Sequence, residues 1–187
     1  MALGAALTIA IRIAPRLSPA ARIAALGYAI PGTVLVLSIF PVIRTADDGL
    51  AALGVSWALS GTFAAIVFTL VVRFVGIGAG QAQLALRRLP QSIDWVARVH
   101  GMKDLRLAWQ VHLPAMMPGL MLGGTLVFID TVKELPATLL LRPLNFETLA
   151  TRAYAQASAG TFEHAALDSL AILLVSGLAA LMLIRRR

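Results

Sequence analysis

Residues 23–43 run IAALGYAIPGTVLVLSIFPVI, from Ile23 to Ile43, without a single charge. A bilayer core about 30 Å thick takes about 20 helical residues to cross, so this stretch is long enough to span. Pro31-Gly32 interrupts it near its outset, where a proline removes a helical hydrogen bond and bends the rod. Three further apolar runs follow. One covers about 59–80 and is interrupted only by Arg73; one covers about 113–132, its apolar part closing at Asp130; the last covers about 166–184 and stops at Arg185-Arg186-Arg187. A fifth stretch, Ala2–Ile11 within residues 1–14, is apolar but too short to cross. It lacks the basic n-region and small-residue cleavage site of a signal peptide, and it reads as the truncated end of a helix that begins outside this chain. The fold class that follows is all-α: one domain over residues 1–187, built as a polytopic transmembrane helical bundle.

Composition agrees with lipid as the solvent. Of 187 residues, 59% are hydrophobic and 13% charged, and mean hydropathy is +0.84. That balance excludes an ordinary soluble domain and a disordered tail. The net charge of +7 would suggest nucleic acid in a soluble protein. Here the basic residues lie between apolar runs, without the aromatic-interleaved basic surface that nucleic acid requires, so membrane orientation accounts for them. Placing the start of the chain, the 87–106 loop and the C-terminus on one side collects eleven Lys and Arg residues there, against four on the other. The heavy side is expected to be cytoplasmic. Arg73 then lies toward the inner end of its span, where a long side chain can snorkel to the interface.

Several chemistries are excluded. With no cysteine there is no disulfide, thiolate nucleophile or cysteine metal site. His100, His112 and His164 show no pairing at helical spacing, so no metal site or other cofactor is expected. No GxxxxGK[ST] loop is present, which places ATP hydrolysis on another polypeptide. No Ser-His-Asp or paired-carboxylate arrangement stands out, which ranks an intramembrane enzyme last. The glycines and prolines of the spans, Gly76, Gly78, Gly80, Pro114, Pro118, Gly119, Gly123 and Gly124 among them, read mainly as close helix packing in lipid.

Two segments carry information beyond the spans. The first is the cytoplasmic loop 81–112, which contains Gln91-Ser92-Ile93-Asp94-Trp95-Val96-Ala97-Arg98-Val99-His100-Gly101 and runs on to Val111-His112-Leu113-Pro114. Ser92 is a good N-cap and Asp94 suits the first turn. Ile93, Val96, Ala97 and His100 fall at helical spacing, and Gly101 is a natural stop. A second amphipathic piece, Leu105–Trp109, leads into the next span. Two short helices bent at a glycine fit a docking element for another protein. They equally fit a helix lying in the lipid interface and anchored by Trp95 and Trp109.

This loop resembles that of type-1 ABC importer permeases, the MetI-like fold, whose pattern is Glu-Ala-Ala-x3-Gly-x9-Ile-x-Leu-Pro. Ala97, Gly101, Leu113 and Pro114 stand at matching positions, with Val111 at the isoleucine. Trp95 replaces the glutamate and Val96 the first alanine; Asp94 lies one position earlier. The resemblance implies a partial MetI-like fold. It also implies that Asp94, Trp95, Val96, Ala97, Gly101, Val111, Leu113 and Pro114 couple the chain to a cytosolic ATPase subunit.

The second segment is Asp130-Thr131-Val132-Lys133-Glu134-Leu135-Pro136-Ala137-Thr138, continuing to Arg142-Pro143-Leu144-Asn145-Phe146-Glu147. It is similar to ferric iron importer permeases, in which Lys-Glu-Leu-Pro-Ala-Thr followed by Arg-Pro-x-Asn-Phe is characteristic. The resemblance covers the C-terminal half of such a permease. It implies a bacterial inner-membrane location with the C-terminus cytoplasmic, an extracytoplasmic binding protein, and a missing half or second permease subunit as partners. From the residues themselves, Lys133 can pair with Asp130 at i,i+3. Charges at such depth are often functional. Pro136 breaks the helix, after which residues 137–141 re-enter or line a mouth. Asp130, Lys133, Glu134, Pro136 and Thr138 are the residues expected at an outer gate. Asp130, Glu134 and Glu147 are oxygen ligands suited to brief contact with a hard cation. The rival readings are a permease for thiamine, a phosphonate or a polyamine, and a membrane assembly protein with no transport path.

Overall fold

A computed structural model describes residues 1–185. Its elements, in order, are α1 (Ala2–Ile13), a short 3-10 turn (Pro15–Leu17), α2 (Ser18–Ala29), α3 (Gly32–Ala52), α4 (Phe63–Leu86), α5 (Gln91–Val99) and α6 (Asp104–Leu107). A π turn (Ala108–His112) then runs into α7 (Leu113–Val132), followed by α8 (Pro136–Leu141), α9 (Leu149–Ser158) and α10 (Phe162–Arg185). No strand occurs among the described residues. Arg186 and Arg187, counted above on the cytoplasmic side, lie outside the described residues.

Three helices are long and apolar enough to cross a membrane: α4, the continuous Asp104–Val132 helix and α10. The expected first span is different. Its apolar run is divided between α2 and α3, which together make a fourth crossing only if counted as one broken span. The break falls at Ile30-Pro31. Pro31 is extended (φ −53°, ψ 137°) and caps α3 without a side-chain bond. A proline cannot donate to the preceding turn and pushes the residue before it out of the helical region. Beyond Ile43, α3 continues through Arg44 and Asp47 to Ala52. The second span starts four residues later than expected and ends six later, because Leu59 and Ser60 are held in a loop by their N–H groups, which donate to the Asp47 carboxylate.

The chain forms two compact units. One comprises residues 1–29 and 74–127, the other residues 30–73 and 128–187. In the first, Ala5, Ala82, Leu86 and Met116 are buried together, flanked by Ile9, Leu89, Leu113 and Leu120. Lipid tails are as apolar as leucine, so helices associate there by close contact rather than by escape from water. The small residues provide that contact. A Cβ at Gly4 would lie 2.5 Å from the Ala79 nitrogen, one at Gly76 2.5 Å from the Ala24 carbonyl, and one at Gly119 2.6 Å from the Gln81 carbonyl. Thr8 adds a hydroxyl that donates to the Gly4 and Ala79 carbonyls at 2.9 and 3.1 Å.

In the second unit the core consists of Leu35, Val36, Ile39 and Ile43 of α3, Ala65 and Ile66 of α4, and Ala137 and Leu141 of α8. The α9 helix starts at a reciprocal cap: the Thr151 N–H donates to the Thr148 hydroxyl, and the Thr148 N–H to the Thr151 hydroxyl. It is tied to α10 by Arg152, whose Nε donates to Asp168 at 2.8 Å. Along α10 the large side chains, Leu173, Leu178 and Leu181 among them, are exposed, as a lipid-facing helix requires.

The glycine contacts give a matched test. Gly76→Val places methyl groups where the α2 backbone lies and is expected to destabilise the fold by about 1–3 kcal/mol, the usual cost of overpacking. Gly80→Ala, with open space around its Cβ, is expected to hold or slightly raise the thermal midpoint in detergent, since alanine favours the helix over glycine.

Candidate functional site: a glycine-bent segment and a buried ion pair

The α5 helix follows Leu89-Pro90. Its N-cap is Pro90 and no side chain caps it; the expected cap, Ser92, sits inside the first turn instead. The displacement follows from Pro90, which is extended (φ −64°, ψ 148°) and pre-set to precede a helix. The helix stops where Gly101 was expected to stop it. Gly101 adopts φ +78°, a left-handed conformation that a Cβ disfavours. Its N–H donates to the Arg98 carbonyl at 2.9 Å, and that of Met102 donates to the Ala97 carbonyl at 3.0 Å. These are the paired bonds of a Schellman ending. The Ala97–Gly101 spacing is therefore the spacing of that motif.

The apolar side chains of this helix face outward. Trp95 is 65% exposed, Val96 57% and Val99 84%, with Leu105 and Trp109 also exposed just beyond the bend. Ala97, Val111 and Leu113 are half-buried, and Pro114 is exposed. Asp94 behaves differently. Its carboxylate is 13% exposed and is held on both oxygens. Arg12 Nε donates to Oδ2 at 2.8 Å and Arg12 Nη2 to Oδ1 at 3.2 Å, while His112 Nε2 lies 3.1 Å from Oδ1. The same guanidinium donates to the carbonyls of Leu86, Leu89 and Pro90, along the turn that joins α4 to α5. Asp94 thus fastens α5 to α1 and to the start of the third span and presents no free carboxylate. Burial raises its pKa, but hydrogen bonds from Arg12 and His112, with their charges, outweigh that and hold it below the ordinary value of 3.8.

The residues expected at an outer gate separate into two groups. Lys133 Nζ pairs with Asp130 Oδ1 at 2.9 Å, the i,i+3 pairing expected. Glu134 is buried and pairs with Arg73, with Nε 3.4 Å from Oε2. Arg73 therefore does not snorkel to an interface; its side chain is 17% exposed and meets a carboxylate. Gly32 lies against both, since a Cβ there would fall 2.4 Å from Arg73 Nη1 and 3.2 Å from Glu134 Oε1. Pro136 opens α8 at its first position. Thr138 is buried and donates to the carbonyls of Glu134 and Leu135 at 2.8 and 3.0 Å. Ala137, Thr138 and Leu141 of the stretch expected to re-enter or line a mouth are buried, with Ala137 and Leu141 in the core, while Leu140 is exposed. Glu147 is exposed and pairs with Arg142.

Comparison with known proteins gives a match over residues 2–187 to the binding-protein-dependent transport system inner membrane component. The chain belongs to that family. It is also similar to the Fe(3+)-transport system permease protein FbpB 2 of Haemophilus influenzae, 28% identical over 157 residues. That match covers 83% of this chain and 29% of the relative, so the chain spans under a third of the relative's length. An all-α, multi-pass membrane component of a transport system is what the family and the apolar helices give.

Arg12, His112 and Arg73 are the transport-component residues that sequence patterning missed. Arg12 read as one of several flanking charges, His112 as a failed metal ligand and Arg73 as a solitary basic residue. No local signal announces a partner on another helix.

Asp94→Ala leaves the Arg12 guanidinium and the His112 ring without their shared acceptor. It is expected to cost about 2 kcal/mol, the range for hydrogen bonds to charged groups, read as a lower thermal midpoint. Because the Asp94 pKa is depressed on folding, its contribution is present above the unfolded value and lost as pH falls through the folded one. Trp95 fluorescence is expected to hold steady from neutral pH down to about 4.

Proposed function

We propose that this chain is a membrane-spanning permease subunit of an ATP-driven importer, moving ferric iron from an extracytoplasmic binding protein to the cytoplasm by alternating access. The observation that carries the reading is the family match along residues 2–187, joined to an amphipathic helix whose apolar residues, Trp95, Val96 and Val99, lie outside the fold. In a transport component such a face, rigidly fastened by Asp94, is a handle for a motor. A cytosolic ATPase subunit closes on it, and the Arg12–Asp94–His112 clasp carries the displacement into the spans. Nucleotide hydrolysis belongs to that subunit.

The basic asymmetry supports a cytoplasmic position for α5 and the C-terminus in a bacterial inner membrane. A second permease domain completes the pathway, in keeping with a relative more than three times as long as the matched stretch. Asp130, Lys133 and Glu134 form the outer gate, with Pro136 and Thr138 shaping the turn behind it. Ferric iron is supported by the relative's name and by carboxylate oxygens, which suit a hard cation.

The reading is tested by co-purification. An affinity-tagged chain is expected to retain the ATPase subunit encoded with it. Gly101→Pro, which cannot adopt φ +78°, is expected to insert normally and lose at least nine-tenths of that subunit. Full retention by the variant would refute the coupling role; an untouched chain that retains none would refute the importer reading.

A further inference from the structure

Two buried carboxylates, Glu134 and Asp168, and one half-buried, Asp94, can be compared. Asp94 is held on both oxygens by Arg12 and His112, and Asp168 on both by Arg152. Glu134 is as deeply set as Asp168, at 6% exposure against 4%. Yet its ion pair with Arg73 is long, at 3.4 Å from Nε to Oε2, and its second oxygen, Oε1, is buried and accepts no hydrogen bond among the described residues. A buried carboxylate held on one side only is costly, and an ionisable group inside a membrane usually marks a path for ions or protons.

The position fits a path. Arg73 lies ten residues into α4, about 15 Å along a helix of 1.5 Å rise, close to the middle of a crossing. Beside it Gly32 has no side chain, and the Arg73 guanidinium and Glu134 Oε1 occupy the space a Cβ would take. What Oε1 lacks is a hydrogen-bond donor, although the guanidinium lies close by. Oxygen ligands of this kind favour hard multivalent cations. No group of three His, Asp or Glu stands together among the described residues, so a cation here meets one carboxylate, not a closed cage. That suits passage, which needs binding weak enough to release.

We infer that Glu134 is a relay point for the imported cation and that Arg73 is its tethered counter-charge, displaced while the cation is bound and returning when it leaves. The inference rests on the importer reading above. It assigns Glu134 an exchange role beyond gating and gives Arg73 a role.

The test uses the permease with its ATPase subunit and binding protein. Arg73→Gln with Glu134→Gln keeps a neutral hydrogen-bonding pair. The double variant is expected to match the parent in thermal midpoint while uptake of radiolabelled ferric iron in cells falls at least tenfold. In equilibrium dialysis of the solubilised complex with terbium(III), Arg73→Gln alone is expected to bind at least tenfold tighter than the parent. Arg73→Lys, which keeps the charge, is expected to bind as the parent does. Parental uptake by the double variant would show the pair to be structural only and overturn the relay, as would unchanged terbium binding by Arg73→Gln. A parent that moves no iron, with terbium binding still gained by Arg73→Gln, would refute the ferric solute and support the relay.

Discussion

Hydrocarbon offers no water to a broken backbone, so each place where a helix stops must find its partners within the protein. In this chain side chains supply such partners even at helix ends that lie outside the spans. Along the turn that joins α4 to α5 the carbonyls of Leu86, Leu89 and Pro90 all accept from Arg12, a residue of α1. At the end of α7, the Thr138 hydroxyl supplies a donor to the Glu134 and Leu135 carbonyls. At the start of α9 the two threonines satisfy one another. The side chains that make the fold affordable in lipid are therefore the few polar ones, while the many apolar ones specify only which solvent it meets.

This explains what was legible in the chain. Length and hydropathy locate α4, α7 and α10, because spanning a bilayer is a property of one segment. Gly101 was legible as a stop because a Schellman ending is local, as was the Asp130–Lys133 pair at helical spacing. The break in the first apolar run was legible at Pro31-Gly32, because a proline acts locally; that two separate helices share the run was not, because an apolar run reports solubility in lipid and not continuity. The Arg12–Asp94 bond joins residues 82 positions apart, and a helical period gives the face of a residue but not what that face meets. The α9 cap was hidden for a related reason: Thr151 takes the position where a glutamate or glutamine would have flagged a capping box.

The buried charges also separate fastening from function. Arg152 with Asp168 and Arg12 with Asp94 are bidentate or multiply bonded, and they join helices that must move together. Arg73 with Glu134 is looser and sits against a residue without a side chain. Within one chain the geometry of ion pairs thus distinguishes closely bonded joints from a looser contact.

The π turn between α6 and α7 has a further consequence. Leu107 and His112 are both wholly buried, yet residues five apart on an α-helix point about 140° away from each other. The wider i→i+5 ring of a π turn brings them back onto one side, so His112 reaches Asp94 while Leu107 stays packed. Such a ring holds one extra residue without lengthening the rod much. Removing a single residue there would restore the i→i+4 spacing of a regular helix, in which residues four apart share one side. The extra residue thus lets a buried leucine and a buried histidine share one side of the rod at the start of α7.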